Sequence, residues 1–385
     1  MVERIAEGNG WAGRSATFGA LRTALVLLLC GTSWGRGDEA VRQEAPFPTV
    51  LGGQTAKCEG EPVGLEVLRG DFHMHTPHSD GRLSPADRVM EAWRYGYDAI
   101  AITDHGNFRA YEEAVSTAES VGIILIRGME TGIGGAEHFV ALGFGGDYQP
   151  QDSHRWAEAD GGAKVFYREQ LRRLARADGF VVYAHPHVGL REPVLWGIEQ
   201  GLLGGIEVKN DVVGTGWNTV ESHGTHWYPF ALDWAVEHDL TIFANSDVHA
   251  TRGESEQAVT LLLVKDRSRD GVMDALRTGR TVACFNGMLC GHAWVVEPLI
   301  ASLSQVDVVD LAEDRVLLRV QNRGPIPLTA RIDDTPVEPV TVGPYQKVLV
   351  DLPSRPEALA VTWTNVYTRS TSNVTTTHPP TTVGK

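Results

Sequence analysis

The chain has 385 residues, of which 42% are hydrophobic and 22% are charged, and its formal net charge at pH 7 is −15. This length and composition are typical of a globular protein with one large domain and a smaller one. Binding to long nucleic acids depends largely on neutralising phosphates with basic residues, so the acidic balance argues against such a partner. A small anionic substrate is compatible with it, because bound metal cations dominate the field inside a site.

The N-terminal segment has the pattern of an export signal. Arg14 and Arg22 precede an apolar run from Ala24 to Cys30, which small residues follow. We therefore predict a signal peptide over residues 1–36, a polar linker over 37–64, and export to the periplasm or the cell exterior. The alternative is an amphipathic N-terminal helix. The apolar run is too short to span a bilayer, so no transmembrane segment is predicted.

From about residue 65, strand and helix patterns alternate along the chain. Ser84-Pro85 is a typical helix start and Gly96 a stop, and a strand over 98–102 follows. The remaining predicted elements are helices over 111–120 and 166–178 and strands over 123–126, 139–144, 180–183, 206–208 and 240–244. Such alternation predicts a mostly parallel sheet with its functional residues at the carboxyl ends of the strands.

Clusters of His, Asp and Glu lie beside most of these strands. The first reads D-F-H-M-H-T-P-H-S-D-G over residues 71–81, and His73 and His75 share one face of a strand because they are two residues apart. The later clusters are T-D-H at 103–105, G-M-E at 128–130, E-H-F around His138, A-H-P-H at 184–187 and S-D-V-H at 246–249. Imidazole and carboxylate ligands suit Zn, Mn or Fe. The pattern predicts a hydrolase with several metal ions, and ligands from so many strands favour a closed barrel over an open sheet.

After about Ala293 the sequence becomes rich in strand patterns, at 315–321, 347–352 and 359–368, and no helical period is evident. We predict a small β-sandwich-like accessory domain over residues 293–370 and a flexible, Thr- and Pro-rich tail over 371–385. Cys284 and Cys290 form a candidate disulfide pair, although the cysteine count does not indicate a disulfide framework.

The motifs, in this order, resemble the polymerase-and-histidinol-phosphatase (PHP) family of metal-dependent phosphoesterases over residues 65–292. G-I-E-V-K-N at 205–210 and A-L-R-T-G-R-T at 275–281 are similar to later family motifs. The resemblance implies an α/β fold, a distorted (β/α)7 TIM-like barrel, with two to three divalent metal ions (Zn, Mn or Fe). The N-terminal signal and the β-rich C-terminal segment are similar to those of an exported, phosphodiesterase-like branch.

Carried over by position, the resemblance implies nine metal ligands. They are His73, His75, Glu130 and Asp247 for the first metal; Glu130, His138 and His185 for the second; and Asp80, His105 and His249 for the third. The implied reaction is attack of a metal-bridging hydroxide on the phosphorus of a small phosphate ester, a diester being slightly favoured over a monoester. The choice among Zn, Mn and Fe stays open, as does the oligomeric state.

Four further residues are catalytic candidates. Arg109 and Arg252 follow metal-binding motifs, so each is a candidate to contact phosphate, although an ordinary surface arginine is the more common case at such a position. His78 and His187 lie within the motifs without matching ligand positions. Either is a candidate acid for the leaving oxygen, the alternative being a hydrogen bond that supports a ligand.

Two other functions are compatible with parts of the pattern. Amidohydrolase-type barrels, which cleave amides or lactones, also begin with His-x-His, but they typically lack the S-D-G and D-x-H motifs seen here. A degenerate barrel kept for binding or scaffolding would have lost ligands, whereas this chain retains all nine.

Overall fold

The computed structural model describes residues 64–133, 137–150, 162–212, 226–252, 258–311, 316–353 and 359–378. The predicted signal peptide (1–36) and all but the last residue of the predicted linker (37–64) lie outside these ranges, as do residues 379–385 of the predicted tail. Within the described part of the chain, no helix has the length and apolar character needed to cross a membrane.

Seven strands and five helices make up the first half of the described chain. In chain order they are β1 (Glu66–Asp71), α1 (Pro85–Arg94), β2 (Ala99–Ile102), α2 (Arg109–Val121), β3 (Ile124–Ile133), β4 (Glu137–Leu142), α3 (Gly162–Arg176), β5 (Phe180–Ala184), α4 (Glu192–Glu199), β6 (Gly205–Asn210), α5 (Pro229–Glu237) and β7 (Thr241–Asn245). The predicted alternation of strand and helix is therefore confirmed.

Ten further strands and two helices follow. They are β8 (Val259–Val264), α6 (Arg269–Arg277), β9 (Thr281–Phe285), β10 (Met288–Cys290), α7 (Ala293–Leu303), β11 (Ser304–Leu311), β12 (Val316–Asn322), β13 (Leu328–Ile332), β14 (Val340–Val342), β15 (Lys347–Leu352), β16 (Leu359–Arg369) and β17 (Ser372–His378).

Strands β1 to β7 lie side by side in chain order within one large sheet. The pairs β1–β2, β2–β3, β5–β6 and β6–β7 are parallel. β4 is antiparallel to both β3 and β5. Only residues 134–136 separate β3 from β4, a connection too short for the crossover that a parallel pair needs. The α/β class is confirmed, with this one antiparallel strand inside the expected parallel order.

The two ends of this strand array meet beyond the strands themselves. β8 is antiparallel to β1 and occupies its other edge, so no ladder joins β1 and β7 in the described chain. Instead, an isolated bridge joins Met74 to Val248. The Asp247 backbone N–H donates to the His73 carbonyl (2.8 Å), and the His75 N–H donates to the Val248 carbonyl (3.0 Å). We call this junction the seam.

The C-terminal region contains a helix that the sequence analysis did not predict. Helix α7 buries Val295, Val296, Leu299, Ile300 and Leu303. These residues recur at helical spacing, so the signal was present, and the expectation of strands alone after Ala293 was wrong. The helix contacts β9, β16 and β17, so its apolar face is buried against the large sheet.

One sheet runs through both predicted domains. β10 pairs in parallel with β16, which continues the large sheet through β13, β14 and β17. Strands β11, β12 and β15 form a separate antiparallel sheet. The tail predicted from residue 371 begins with β17, which pairs with β16 over most of its length, so residues 372–378 are ordered strand and that expectation was wrong for them.

The candidate disulfide between Cys284 and Cys290 is absent, and both residues are buried thiols. In the β9–β10 hairpin, Cys284 lies opposite Leu289 and Cys290 opposite Ala283. Neighbouring residues of a strand point to opposite faces, and the two cysteines accordingly belong to different core clusters. This geometry excludes a bond between their sulfur atoms.

Candidate metal centre

All nine predicted ligand side chains lie together at one end of the strand array. They form four overlapping groups whose ligand atoms lie within 4.8 Å of one another: His75, Asp80, His105 and His249; His73, His75 and Asp247; His73, Glu130 and His185; and His105, Glu130 and His138. Strands β3 and β4 and the segments after β1, β2, β5 and β7 supply them. The overlap between groups gives one continuous site.

Glu130 is at the centre of the site. Its side chain is 1% exposed, and its two oxygens approach five imidazoles. Oε2 is 3.3 Å from His73 Nε2 and from His75 Nε2 and 3.0 Å from His105 Nδ1, while Oε1 is 2.9 Å from His138 Nδ1 and 3.1 Å from His185 Nε2. A carboxylate with one oxygen toward each of two ligand sets is suited to bridge two cations.

Four buried polar atoms converge without a hydrogen bond. They are His73 Nε2, His75 Nε2, Glu130 Oε2 and Asp247 Oδ1. Asp247 Oδ1 is 3.0 Å from His75 Nε2 and 3.3 Å from His73 Nε2. Leaving buried polar atoms unsatisfied is unfavourable, whereas two imidazoles and two carboxylate oxygens suit a divalent ion such as Zn, Mn or Fe. The residues present therefore fit a bound metal ion.

Two residues of the site have backbone conformations that favour glycine. Asp247 has φ of 54° and His185 has φ of 25°. Positive φ is uncommon for residues with a Cβ and is found mainly where the surrounding structure enforces it. His185 directly follows β5 and Asp247 lies two residues after the end of β7, so each left-handed residue bends the chain just beyond a buried strand.

The S-D-G turn positions Asp80. A Cβ at Gly81 would lie 2.3 Å from the His75 carbonyl carbon, so only glycine fits there. Asp80 Oδ2 lies 3.4 Å from His105 Nε2 and 3.3 Å from His249 Nε2. Burial alone would raise the pKa of Asp80, but the surrounding histidines, His105 first, hold it below its usual value.

The charges of the inner site stabilise one another. Burial alone would lower the pKa of His75, but the neighbouring carboxylates of Asp247 and Glu130 outweigh burial and raise it to about 9. Burial would raise the pKa of Asp247, yet His73 and His75 lower it to about 2. The carboxylates are thus ionised at neutral pH, as metal binding requires.

Glu207 supports two of the predicted ligands, although the sequence motif that contains it did not reveal this role. It is fully buried on β6. Its Oε1 is 2.9 Å from His73 Nδ1, and its Oε2 accepts the backbone N–H of His185 at 2.6 Å. Asn245 and Asn210 donate to the same carboxylate. The feature that could have revealed this role is the presence of an ionisable residue between the apolar residues of G-I-E-V-K-N.

Asp104 was also missed, although it lies in the T-D-H motif. It accepts hydrogen bonds from the Thr76 backbone N–H (2.7 Å), the Thr76 hydroxyl (2.6 Å) and the Ser79 hydroxyl (2.7 Å). Ser79 Oγ is in turn 3.3 Å from His75 Nδ1. Asp104 therefore fixes the loop that carries Asp80, without facing the ligand groups.

The two histidine candidates for acid catalysis lie beside the centre. His78 Nε2 is 2.9 Å from Glu113 Oε1 on α2, and its side chain is partly exposed. His187 Nδ1 is 2.7 Å from the His185 carbonyl oxygen. Burial lowers the pKa of His187, so its ring is mainly neutral at pH 7. Neither belongs to the four ligand groups.

The two arginine candidates differ in accessibility. Arg109 is exposed at the first position of α2. The Arg252 side chain is 0% exposed, and its Nη2 lies 2.6 Å from Asp71 Oδ2. Both the expected phosphate contact and the alternative of a surface arginine were therefore wrong for Arg252, because the guanidinium is enclosed beneath the site.

Comparison with known proteins supports the resemblance drawn from the motifs. Residues 71–184 match the family model of the PHP domain. Over 67 residues, 17% of this chain, the sequence is 45% identical to 5% of a DNA polymerase III PolC-type from Staphylococcus saprophyticus. Over 77 residues, 19% of this chain, it is 39% identical to 28% of a 5'-3' exoribonuclease from Haemophilus influenzae. Each match thus spans less than a third of the relative's length.

The fold has a counterpart among solved structures. A crystal structure of a two-domain protein from Bacteroides vulgatus, containing a predicted PHP-like metal-dependent phosphoesterase, superposes with a TM-score of 0.70. The superposition covers 88% of this chain and 99% of that chain at 23% sequence identity. The resemblance to the PHP family and the α/β fold class are thereby confirmed.

Proposed function

We propose that the chain is a metal-dependent phosphoesterase that hydrolyses small phosphate esters. The observation that carries this proposal is the convergence of four buried, unpartnered atoms of His73, His75, Glu130 and Asp247 at the centre of the nine-residue cluster. When bound, divalent ions lower the pKa of coordinated water and neutralise charge on phosphoryl oxygens. The relatives named above add that this domain type accompanies phosphoester chemistry.

The proposed ligand sets follow the geometry of the groups. His73, His75, Glu130 and Asp247 would hold one ion. Glu130, whose Oε1 contacts both His138 and His185, would share a second ion with them. Asp80, His105 and His249 would hold a third. We propose two to three ions of Zn, Mn or Fe on these ligands.

The exposure of the ligands indicates where an ester would approach. The His73 and His75 side chains are 0% exposed, whereas those of Asp80 and His105 are 52% and 40% exposed. The open side of the site is therefore the one formed by Asp80, His105 and His249. A substrate entering there would meet exposed ligands first and the buried carboxylates behind them.

The pairing of two nearby cationic side chains with carboxylates favours a diester over a monoester. A monoester dianion gains from cationic side chains that clamp its oxygens. Arg252 is buried against Asp71, and Lys209 at the end of β6 is buried with its Nζ 2.5 Å from Asp211 Oδ1. Among the described candidates, Arg109 alone is exposed. We therefore favour a small phosphodiester as the substrate. Export as the setting is proposed separately, from the N-terminal sequence pattern.

The first test measures the metal content of the purified protein and its hydrolysis of p-nitrophenyl phosphate and bis-p-nitrophenyl phosphate with Mn, Zn or Fe restored. We expect at least two ions per chain and faster cleavage of the diester. Asp247→Asn should lose metal and nearly all activity. Asp98→Asn is the matched control, since Asp98 is a buried carboxylate just before β2 that contacts Arg267 and none of the nine ligands.

Two outcomes would contradict the proposal. Bound metal without cleavage of either ester would redirect it toward amide or lactone substrates. Full activity in Asp247→Asn would show that the reaction takes place elsewhere in the molecule.

A further inference from the structure

Two of the four ligand groups straddle the seam between the first and seventh strands. One joins His75 and Asp80, which follow β1, to His249, which follows β7; the other joins His73 and His75 to Asp247. Because no ladder joins β1 to β7 in the described chain, the strands alone do not fix the distance between these ligands. The isolated bridge and its two backbone hydrogen bonds join the two sides of the seam directly, and buried side chains add further contacts across it.

Arg88 on α1 contacts both sides of the seam. Its side chain is 0% exposed. Nε and Nη2 donate to the His75 carbonyl oxygen at 3.2 and 3.1 Å, and Nη2 also lies 3.3 Å from the His249 carbonyl oxygen. Nη1 donates to the Ala250 carbonyl oxygen at 2.9 Å. One planar guanidinium therefore binds the backbone of a predicted ligand on each side.

Arg252 also connects the two sides of the seam, through the carboxylate of Asp71. Its Nη2 donates to Asp71 Oδ2 at 2.6 Å. Asp71 in turn accepts the Ser246 hydroxyl at 2.5 Å, the Ser246 backbone N–H at 3.1 Å and the His73 N–H at 3.3 Å. Asp71 thus holds the ligand His73 on one side of the seam and Ser246, the neighbour of the ligand Asp247, on the other.

Glu91 joins the two arginines. Its Oε2 is 2.5 Å from Arg88 Nη1 and 3.5 Å from Arg252 Nε, and its Oε1 accepts the Arg252 backbone N–H at 2.7 Å. Arg88, Arg252, Asp71 and Glu91 thus form a buried, charge-balanced set, which we call the arginine clasp. Buried ion pairs contribute little net stability because desolvation opposes their attraction. Stability alone is therefore a weak reason for placing four charges here.

We propose that the arginine clasp is a positioning device that sets the separation of the ligands on either side of the seam, and through it the metal affinity of the two groups that straddle the seam. This inference rests on the proposed function, since it concerns the same metal centre. The clasp touches no ligand atom itself. It acts through the carbonyl groups of His75 and His249 and through Asp71.

The test is a Co²⁺ titration of the metal-free protein, followed by visible absorption, with Arg88→Lys as the variant. Lysine keeps the charge but cannot form the planar fork that reaches three carbonyls at once. We expect Co²⁺ binding at the straddling groups to weaken by roughly 10- to 100-fold, with altered absorption bands. The ion held by Glu130, His138 and His185 should bind as in the wild type.

Arg280→Lys is the matched control. Arg280 is also buried and makes the same kinds of bond, to the Leu263 carbonyl (3.0 Å) and to Asp274 Oδ2 (2.6 Å), but it contacts none of the nine ligands. Its variant should bind Co²⁺ like the wild type. Far-UV circular dichroism of each variant establishes whether the fold is retained.

The outcomes separate this proposal from the proposed function. Wild-type Co²⁺ binding by a folded Arg88→Lys overturns the clasp alone. If Arg88→Lys does not fold, Glu91→Gln carries the same expectation. If neither variant folds while Arg280→Lys does, the clasp is purely structural and the proposal is overturned. A wild-type protein that binds no Co²⁺ contradicts the proposed function and the clasp together.

Discussion

Glu207 lies directly behind two predicted ligands, and its substitution isolates the effect of ligand orientation. Glu207→Gln replaces an acceptor that receives bonds from the His185 N–H and from Asn245 with an amide that presents its own N–H₂ group. We expect metal affinity to fall by about 10- to 100-fold while the fold is retained. Metal content after dialysis against a chelator measures the effect. Retention comparable to that of Asp98→Asn would contradict the role of Glu207.

The histidines of the centre predict how the stability of the metal-free protein depends on pH. The folded-state pKa of His75 is about 9 against an ordinary value of 6.5. A raised pKa stabilises the folded state fully below pH 6.5, and this contribution is lost as the pH rises through 9. The free energy of unfolding, measured by urea denaturation after chelation, should therefore fall between pH 6.5 and 9.

Metal-loaded protein is the control for this dependence. Metal binding requires neutral imidazole, so the proton is already displaced in the loaded protein and the decline should disappear. For the same reason, apparent metal affinity should rise over the same pH interval. A metal-free protein of constant stability from pH 6.5 to 9 would show that His75 does not gain a proton on folding.

The proposed metal ligands could be predicted from the sequence because they lie in short motifs of metal-binding residue types. The nine proposed ligands all occur in such motifs, and the structure brings all nine into the overlapping groups. The position of Arg252 was not predictable, because sequence distance from S-D-V-H does not show whether a side chain turns toward solvent or inward. Glu207 was missed because its hydrogen bonds join strands more than twenty residues apart.

At the scale of elements, helix α1 carries two members of the clasp. Its N-cap Ser84 accepts the Asp87 backbone N–H at 3.2 Å. Ser84→Ala should lower the free energy of unfolding by about 0.5–2 kcal/mol and should also weaken metal binding, since Arg88 and Glu91 lie one and two turns further on. Ser268→Ala removes the corresponding cap of α6. It should give a similar loss of stability with normal metal binding, and equal metal binding in both variants would contradict the coupling.

The elements of the first half follow from the sequence more closely than those of the second. Strand β4 was expected as a strand, but its antiparallel direction depends on the short connection after β3 rather than on its own residues. Helix α7 was overlooked because its apolar positions, such as Val295 and Leu299, precede a region of strand patterns. The local sequence pattern of a strand does not show which sheet it joins. The pairing of β16 with β10 could therefore not be predicted from the sequence.

At the scale of the whole molecule, a single core cluster includes residues of both predicted domains. Trp363 on β16 is fully buried in it, with its Nε1 3.1 Å from Thr376 Oγ1. Trp363→Ala should lower the free energy of unfolding by about 3–5 kcal/mol. We expect one cooperative transition, seen alike by fluorescence and by loss of bound metal. Leu349→Ala, at a position 64% exposed, is the control and should change stability within about 0.5 kcal/mol. Two separate transitions would show that the domains unfold independently.

The parallel pairing of β10 with β16 has a consequence for the order in which the protein is made. β10 ends at Cys290, and its partner strand begins only at Leu359. During synthesis, the edge of β10 that pairs with β16 therefore stays open until β16 has been translated. Open strand edges of this kind promote aggregation. The half of the nascent chain that carries the proposed metal ligands would thus stay prone to aggregation until its last hairpin emerges.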